Sequence, residues 1–136
     1  MKKYPWMANE RTQAYHFRMV REVDRPEYPD YNTYDIATLQ AVSYPDGYQV
    51  TFWNKGDNYT PEQYADLVNE FLRYSEGHMT YVGKYDGAEI SFRIMNKRTA
   101  LRLGRKYNQI SVWDWKEEHE ITTGGTGRRG KDGNPV

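Results

Sequence analysis

The residue types best suited to chemistry alternate with apolar residues in one short segment, AEISFRI at 88–94. This alternation is typical of a strand with one buried face, so we expect Glu89, Ser91 and Arg93 on the opposite face. A carboxylate, a hydroxyl and a guanidinium could form a small catalytic site, but no nucleophile-elbow or Ser-His-Asp pattern accompanies them. We therefore predict polar cross-strand neighbours and no catalytic residue, with a small enzyme built on these three residues as an alternative.

Three of the four tryptophans are expected on the same face as these polar residues. In the strand-like segments GYQVTFW and NQISVWDW, the outward positions include Trp53, Trp113 and Trp115. Tryptophan combines a large contact area with a polar N–H group, and a sizeable exposed apolar patch usually marks an interaction site. We predict that these tryptophans and Arg93 contact a binding partner.

The segment NKRTALRLGRKY is expected to form a strongly basic helix that begins at an Asn96 cap. It holds several cationic residues and no acidic one, and Arg98, Arg102 and Arg105 share one face at helical spacing. Such a face could attract an acidic protein or a nucleic acid, so these arginines join the predicted partner-binding residues. A merely solvated charged face is the alternative.

Two further motifs contain residue types used in ligand sites but lack the required spacing. The segment KEEHE surrounds His119 with carboxylates, but the other histidines are distant in sequence, and we predict no metal site and no cofactor. The run TTGGTGRRG lacks the Gly-Lys-Ser/Thr ending of a phosphate-binding loop, and no helix follows it. Its composition instead predicts a flexible, Gly-rich, basic tail at 124–136.

The clearest secondary-structure signal is a helix in TPEQYADLVNEFLRYSEG, where Thr60 and Gln63 have the spacing of a capping box and Gly77 would end the helix. Asp86-Gly87 predicts a tight hairpin turn between two later strands. With the segments above, the order of elements in the second half of the chain is β-α-β-β-α-β. We predict an α+β, ferredoxin-like sheet with two helices on one face.

We expect one domain with an extension at each end, since 136 residues suffice for a single modest core. Residues 47–123 would form the α+β domain. Residues 1–46 would be an aromatic-rich, loop-rich extension with a short helix that begins after Asn32 or Thr33. Either this extension folds over the open sheet face, or a partner or a second copy of the chain covers it.

Composition argues against several functional classes. The 19 basic and 19 acidic residues give a formal net charge of zero, which argues against strong nonspecific DNA binding. No cysteine is present, so there is no disulfide framework and no thiolate metal site. The N-terminal MKKYPWMANER has no apolar stretch and no segment approaches the length of a membrane span, so we expect no secretion signal, no membrane association and a cytoplasmic location.

Several segments between Gly47 and Arg129 are similar to a small uncharacterised protein family of phages and mobile elements of gut bacteria. The similar pieces are GYQVTFW, GDNYTPEQYADLVNEF, YVGKYDGAEISF, NKRTALRLGRKYNQISVWDW and EITTGGTGRR. The succession of Glu-x-Ser-Phe, Ala-x-x-Leu and Gln-x-Ser-Val also resembles domains appended to large phage proteins. The resemblance implies a setting in a bacterial host, but no reaction and no catalytic residues.

These observations predict a non-catalytic accessory protein of a phage or mobile element that binds a host macromolecule. The most specific version of this prediction is an inhibitor of a host defence system, as anti-CRISPR proteins are. One alternative is a nucleic-acid-binding protein that uses the basic helix and the tail, and another is the small enzyme described above. A host or phage protein is the expected partner, and the sequence leaves the oligomeric state open.

Overall fold

Within residues 7–136, which the computed structural model describes, three helices pack on one face of a seven-stranded antiparallel sheet. The helices are α1 (Thr12–Val23), α2 (Pro61–Leu72) and α3 (Lys97–Lys106). The strands are β1 (Asn32–Asp35), β2 (Ala41–Val42), β3 (Tyr48–Asn54), β4 (Ser75–Lys84), β5 (Ala88–Ile94), β6 (Ser111–Asp114) and β7 (His119–Thr122). Their order in the sheet is β2-β1-β4-β5-β3-β6-β7, and the fold is α+β.

The sheet is larger than the sequence predicted. From β3 to β6 the elements follow the predicted order of strand, helix, strand, strand, helix and strand, and the four strands are neighbours in the sheet. However, β1 and β2 extend one edge and β7 extends the other. The predicted four-stranded ferredoxin-like sheet is therefore not confirmed.

The short helix predicted after Asn32 or Thr33 is wrong, because these residues begin strand β1. At the end of β1, the Asp35 carboxylate accepts hydrogen bonds from the backbone N–H groups of Ala37 (2.8 Å) and Thr38 (3.0 Å). An aspartate that binds the backbone two and three residues ahead stabilises a turn. The chain reverses there, and β2 pairs antiparallel with β1.

Helix α2 begins as predicted, with a complete capping box. The Thr60 hydroxyl accepts from the Gln63 backbone N–H, and the Gln63 side chain accepts from the Thr60 backbone N–H at 2.9 Å. The helix ends at Leu72, before the predicted Gly77, since the chain turns directly into β4. Gly77 lies within an irregular part of that strand, where its φ of 67° suits glycine.

Helix α3 also begins as predicted, with the Asn96 side chain accepting from the Thr99 backbone N–H at 2.9 Å. Gly104 faces the sheet at very close range. A Cβ atom at this position would lie 2.8 Å from Thr123 Cγ2 and 3.0 Å from Val112 Cγ1. The absence of a side chain therefore allows the helix to contact the end of the sheet directly.

Helix α1, from the segment predicted to be loop-rich, completes the helix layer. Its buried residues His16, Val20 and Val23 have the spacing of one helical face. The His16 Nδ1 atom lies 2.7 Å from the Tyr64 hydroxyl of α2. Burial lowers the pKa of His16 to about 4 and raises the pKa of Tyr64, so both side chains are neutral parts of the core near pH 7.

His16 should make the folded state sensitive to mild acid. Because the pKa of His16 is about 4 in the folded state and 6.5 without burial, the unfolded chain binds this proton first as the pH falls. The free energy of unfolding should fall between pH 6.5 and pH 4, by about 3 kcal/mol in total from this residue. Urea unfolding of the wild type and of His16→Gln over this range measures the effect. The variant should show the shallower pH dependence, and equal slopes would contradict the prediction.

Candidate functional site

The sheet face opposite the helices carries three rows of side chains, which we call the cavity face. The first row contains Glu120, Trp113, Gln49 and Arg93; the second Thr51, Ser91, Tyr81 and Asp35; the third Asn54, Glu89, Gly83, Thr33 and Val42. Directly paired residues on neighbouring strands point to the same side of a sheet. The cavity face is therefore mostly polar, whereas Val50, Phe92 and Val112, which alternate with it, belong to the core under the helices.

The sheet curls, so that the cavity face borders a cavity of about 650 Å³. Residues from both ends of the strand order line this cavity, with Thr33 and Val42 on one side and Trp113 and Glu120 on the other. Ligand pockets in proteins usually have volumes of roughly 300–1,000 Å³. The cavity is thus large enough for a small ligand or for side chains of a partner protein.

Trp53 does not lie on the cavity face, so this part of the prediction is wrong. The pairing of β3 with β5 shifts between Thr51 and Trp53, where a β-bulge interrupts the alternation. Trp53 is 5% exposed, and its ring centroid lies 4.8 Å from that of Phe17 in α1. Among the residues that the structure describes, its indole N–H is the one buried side-chain N or O atom without a hydrogen-bond partner. Trp53 is a core residue that a partner cannot reach.

Trp113 and Trp115 do come together, with ring centroids 6.4 Å apart in an edge-to-face arrangement. Both are half-buried and both line the cavity. The Trp115 indole N–H donates to Gln49 Oε1 at 3.0 Å, and Gln49 Nε2 donates to Ser91 Oγ at 2.8 Å. These bonds fix Trp115 to the sheet, whereas Trp113 lies between Gln49 and Glu120 in the first row.

Arg93 points to the cavity face, but its guanidinium group is already bound within the chain. Its Nη2 atom lies 2.5 Å from Asp46 Oδ1 and 2.9 Å from the Asp46 carbonyl oxygen. The group also stacks over the Tyr44 ring at 4.2 Å, and Tyr44 packs edge-on against Trp115. The turn that contains Tyr44 therefore covers one end of the cavity face. Elsewhere in the described N-terminal segment, α1 lies on the other side of the sheet, and β1 and β2 extend the edge of the sheet.

The predicted partner-binding arginines of α3 lie in the helix layer, on the opposite side of the sheet from Trp113. Arg98, Arg102 and Arg105 are all exposed. The neighbouring Lys106 pairs with Glu70 of α2 at 2.9 Å, which neutralises part of this basic surface. The predicted partner-binding residues are thus divided between two separate surfaces.

Glu89 lines the cavity without a positive partner among the described residues, since no ion pair within residues 7–136 includes it. Burial raises the pKa of its carboxyl group, a hydrogen bond from Thr51 lowers it in part, and the charge of Glu120 raises it again. The absence of a side chain at Gly83 leaves the space that the Glu89 side chain occupies. A Cβ atom there would lie 2.9 Å from Glu89 Cγ and 3.0 Å from the Tyr85 ring.

The amide side chains around the cavity are occupied within the chain. Asn54 Nδ2 donates to Gln109 Oε1 at 3.1 Å, and Gln109 Nε2 donates to the Tyr107 carbonyl oxygen at 3.2 Å. The Asn108 side chain donates to Thr126 Oγ1 and accepts from the Thr126 backbone N–H. Because these amides form hydrogen bonds that hold loops in place, few of their donors and acceptors are left to bind a ligand.

The C-terminal segment, predicted to be a flexible tail, makes specific contacts in the structure. Arg129 Nε lies 3.0 Å from Asp57 Oδ1, and the Asp57 side chain is 2% exposed. The Asn134 side chain donates to the Asn58 carbonyl oxygen at 3.0 Å and accepts from the Asn58 backbone N–H. Arg129 and Gly127 also line the cavity, so the glycine-rich run forms part of its wall.

Neither a metal centre nor a membrane span is found among residues 7–136. No group of three or more His, Cys, Asp or Glu residues in this range is arranged to hold a metal ion. No helix in this range is long and apolar enough to cross a membrane.

Some residues of the cavity were not predicted from the sequence as part of a binding face. Asn54 was missed because the β-bulge before it changes its side of the sheet. Glu120 was considered only as a metal ligand in KEEHE, although it begins a polar-apolar alternation with Ile121. Arg129 was assigned to the tail, and no local pattern indicates its pairing with Asp57, 72 residues away.

Comparison with models of protein families, with curated proteins and with solved structures gave no significant match. The resemblance to phage proteins therefore stays a prediction. The cavity face is the feature of this fold that indicates a function.

Removal of Arg129 should destabilise the protein, since it leaves the buried Asp57 carboxylate without its counter-charge. Burial already raises the pKa of Asp57, while the Asn54 N–H and Arg129 lower it in part. We expect Arg129→Met to lower the free energy of unfolding by about 2–3 kcal/mol at pH 7, whereas the control Arg128→Met, at an exposed neighbour, should change it by less than about 0.5 kcal/mol.

The Arg129→Met effect should shrink as the pH falls, because protonated Asp57 needs no counter-charge. Urea unfolding of both variants and the wild type at pH 7 and pH 4.5 tests this. An equal loss of stability at both pH values, or an equal loss in the Arg128 control, would contradict the assignment.

Proposed function

We propose that this chain is a non-catalytic accessory protein of a phage or mobile element and binds a host protein through its cavity face, in the host cytoplasm. The observation that carries the proposal is the cavity of about 650 Å³ between Trp113 and the opposite edge of the sheet. Concave sites that combine aromatic walls with a few polar groups are typical of binding sites. Tryptophan is also enriched among residues that dominate the energy of protein interfaces. The most specific version of the proposal is that the protein inhibits a host defence system.

Binding is better supported than catalysis because two of the groups required by the enzyme alternative are engaged. Ser91 Oγ accepts from Gln49, and the Arg93 guanidinium is held by Asp46 and Tyr44. A catalytic group has to reach the reacting atoms of a substrate. Of the three, Glu89 lines the cavity and has no ion-pair partner among the described residues.

The proposal predicts that a host protein contacts the cavity face and not the helix layer. We would place the photo-cross-linker p-benzoylphenylalanine at Ile110, which is 59% exposed at the cavity, or at Arg98 on α3 as the matched control. One host protein should cross-link from position 110 and not from position 98. The two purified proteins should then form a complex at a fixed ratio.

Substitution at the cavity should weaken this complex. Trp113→Ala should lower the affinity at least about tenfold, as expected for an aromatic residue central to an interface. Tyr74→Ala, at a 43% exposed aromatic residue on the helix side, is the control and should leave the affinity unchanged. Cross-linking from position 98 alone, or equal affinities for the two variants, would contradict the proposal.

A nucleic-acid partner is a second candidate, favoured by the exposed arginines Arg98, Arg102 and Arg105. If α3 binds phosphates, affinity for DNA or RNA should fall steeply as salt is raised, and Arg98→Ala with Arg102→Ala should lower both the affinity and the salt dependence. Fluorescence anisotropy with single-stranded and duplex oligonucleotides measures this. Binding that is absent at low salt, or unchanged in the double variant, would remove this candidate.

We also propose that the four neighbouring strands β4-β5-β3-β6 with α2 and α3 are a ferredoxin-like unit enlarged at both edges. Their antiparallel pairing and their order support this description. The additional strands β1, β2 and β7 would then be the elements that convert an open sheet face into a cavity.

A further inference from the structure

We infer that the cavity face receives a cationic side chain, an arginine or a lysine, of the partner protein, with Glu89 and Glu120 as counter-charges and Trp113 and Tyr85 as aromatic walls. The inference rests on the proposed function and names the chemistry of that contact. It concerns the cavity alone and is independent of the basic surface of α3.

The charges that line the cavity favour a cation. Glu89, Glu120 and Arg129 are the charged residues among the described residues of its lining. Arg129 is neutralised by Asp57 at 3.0 Å, so the remaining charge is that of the two glutamates. Burial raises the pKa of Glu89, a hydrogen bond from Thr51 lowers it in part, and the neighbouring Glu120 raises it again. A cation beside Glu89 would stabilise its ionised form. A positive group placed between the two glutamates would relieve this repulsion.

The arrangement of aromatic rings is consistent with the same ligand. Trp113 pairs directly with Glu120 across β6 and β7 and therefore shares its side of the sheet. The Tyr85 ring lies beside Glu89, where both would meet a Cβ atom placed on Gly83. Arginine and lysine side chains bind favourably over the faces of aromatic rings, and their N–H groups can at the same time donate hydrogen bonds to a carboxylate.

A neutral polar ligand such as a sugar is less well matched. Two of the amides that such a ligand would use are already engaged, since Gln49 is bound to Ser91 and Trp115, and Asn54 is bound to Gln109. Among the charged residues of the lining, the two glutamates have no ion-pair partner within the described chain, whereas Arg129 is paired with Asp57. A cationic ligand would therefore gain an ionic contact with the glutamates that a neutral ligand cannot make.

The test uses the full chain and three matched small probes, N-acetyl-arginine amide, N-acetyl-lysine amide and N-acetyl-citrulline amide. Citrulline has nearly the shape of arginine but no charge. Titration is followed by the indole N–H resonances of Trp113 and Trp115, with Trp113→Phe to assign the signals. The cationic probes should shift the Trp113 signal saturably, and citrulline should bind at least about tenfold more weakly, as expected for loss of a charge-assisted contact.

The variants Glu89→Gln and Glu120→Gln should each lower the affinity for N-acetyl-arginine amide about tenfold. Glu118→Gln is the matched control, since Glu118 is exposed in the turn before β7 and does not line the cavity. Glu89→Gln replaces a carboxyl group whose ionised form burial disfavours, so the thermal unfolding temperature of the variant should equal or exceed that of the wild type. This measurement separates a lost contact from lost folding.

Three results would overturn the inference: equal binding of citrulline and arginine, no shift of Trp113 with any probe, or wild-type affinity in both glutamine variants. The proposed function is judged separately by cross-linking from position 110. If the host protein still binds Glu89→Gln and Glu120→Gln at wild-type affinity but not Trp113→Ala, the inference fails and the proposed function stands. If no host protein cross-links from position 110, the proposed function fails, whatever the small probes show.

Discussion

The β-bulge between Thr51 and Trp53 determines what lies on each side of the sheet. A shift of one residue exchanges the faces of all later side chains in a strand. Here it turns Trp53 towards the helices, where it contacts Phe17 and so helps to hold α1 in the helix layer. It also places Asn54 opposite Glu89, on the cavity face. Without the bulge, an indole ring would stand in the cavity and α1 would lose one of its aromatic contacts.

The two sides of the sheet differ in how they satisfy their polar groups. Under the helices, the His16–Tyr64 pair shows a polar contact that is neutral and fully internal. Around the cavity, Asn54 is bound to Gln109, and Arg93 and Arg129 are bound to aspartates, whereas Glu89 has no ion-pair partner among residues 7–136. Burial raises the pKa of Glu89 and so disfavours its ionised form, and local departures of this kind concentrate at functional sites. The carboxyl group of Glu89, which the fold leaves without an ion-pair partner, therefore lies on the same surface as the cavity.

The features predicted correctly from the sequence depend on residues close together in the chain. The Thr60 and Asn96 caps and the Asp86-Gly87 turn each involve contacts within a few residues, and all three are present. Helix α1 was missed because its buried stripe begins with His16, whose residue type suggests a polar surface. Only neutralisation by burial makes this histidine compatible with the core.

The candidate site was predicted only in part. Strand alternation correctly placed Trp113, Trp115 and Arg93 on the open side, and it named Glu89 among the polar residues there. Alternation could not reveal the bulge that removes Trp53, nor the curl that brings both edges of the sheet around one cavity. Those features arise from packing between distant segments, as does the Asp57–Arg129 pair that positions the C-terminal segment.

The outermost strands affect how the molecule can associate. β2 has two residues, and β7 begins with His119 and Glu120, which are both exposed. Very short or charged border strands offer a poor template for the backbone of another chain, which protects against the edge-to-edge stacking that leads to fibrils. The two edges of this sheet therefore disfavour backbone pairing between copies of the chain.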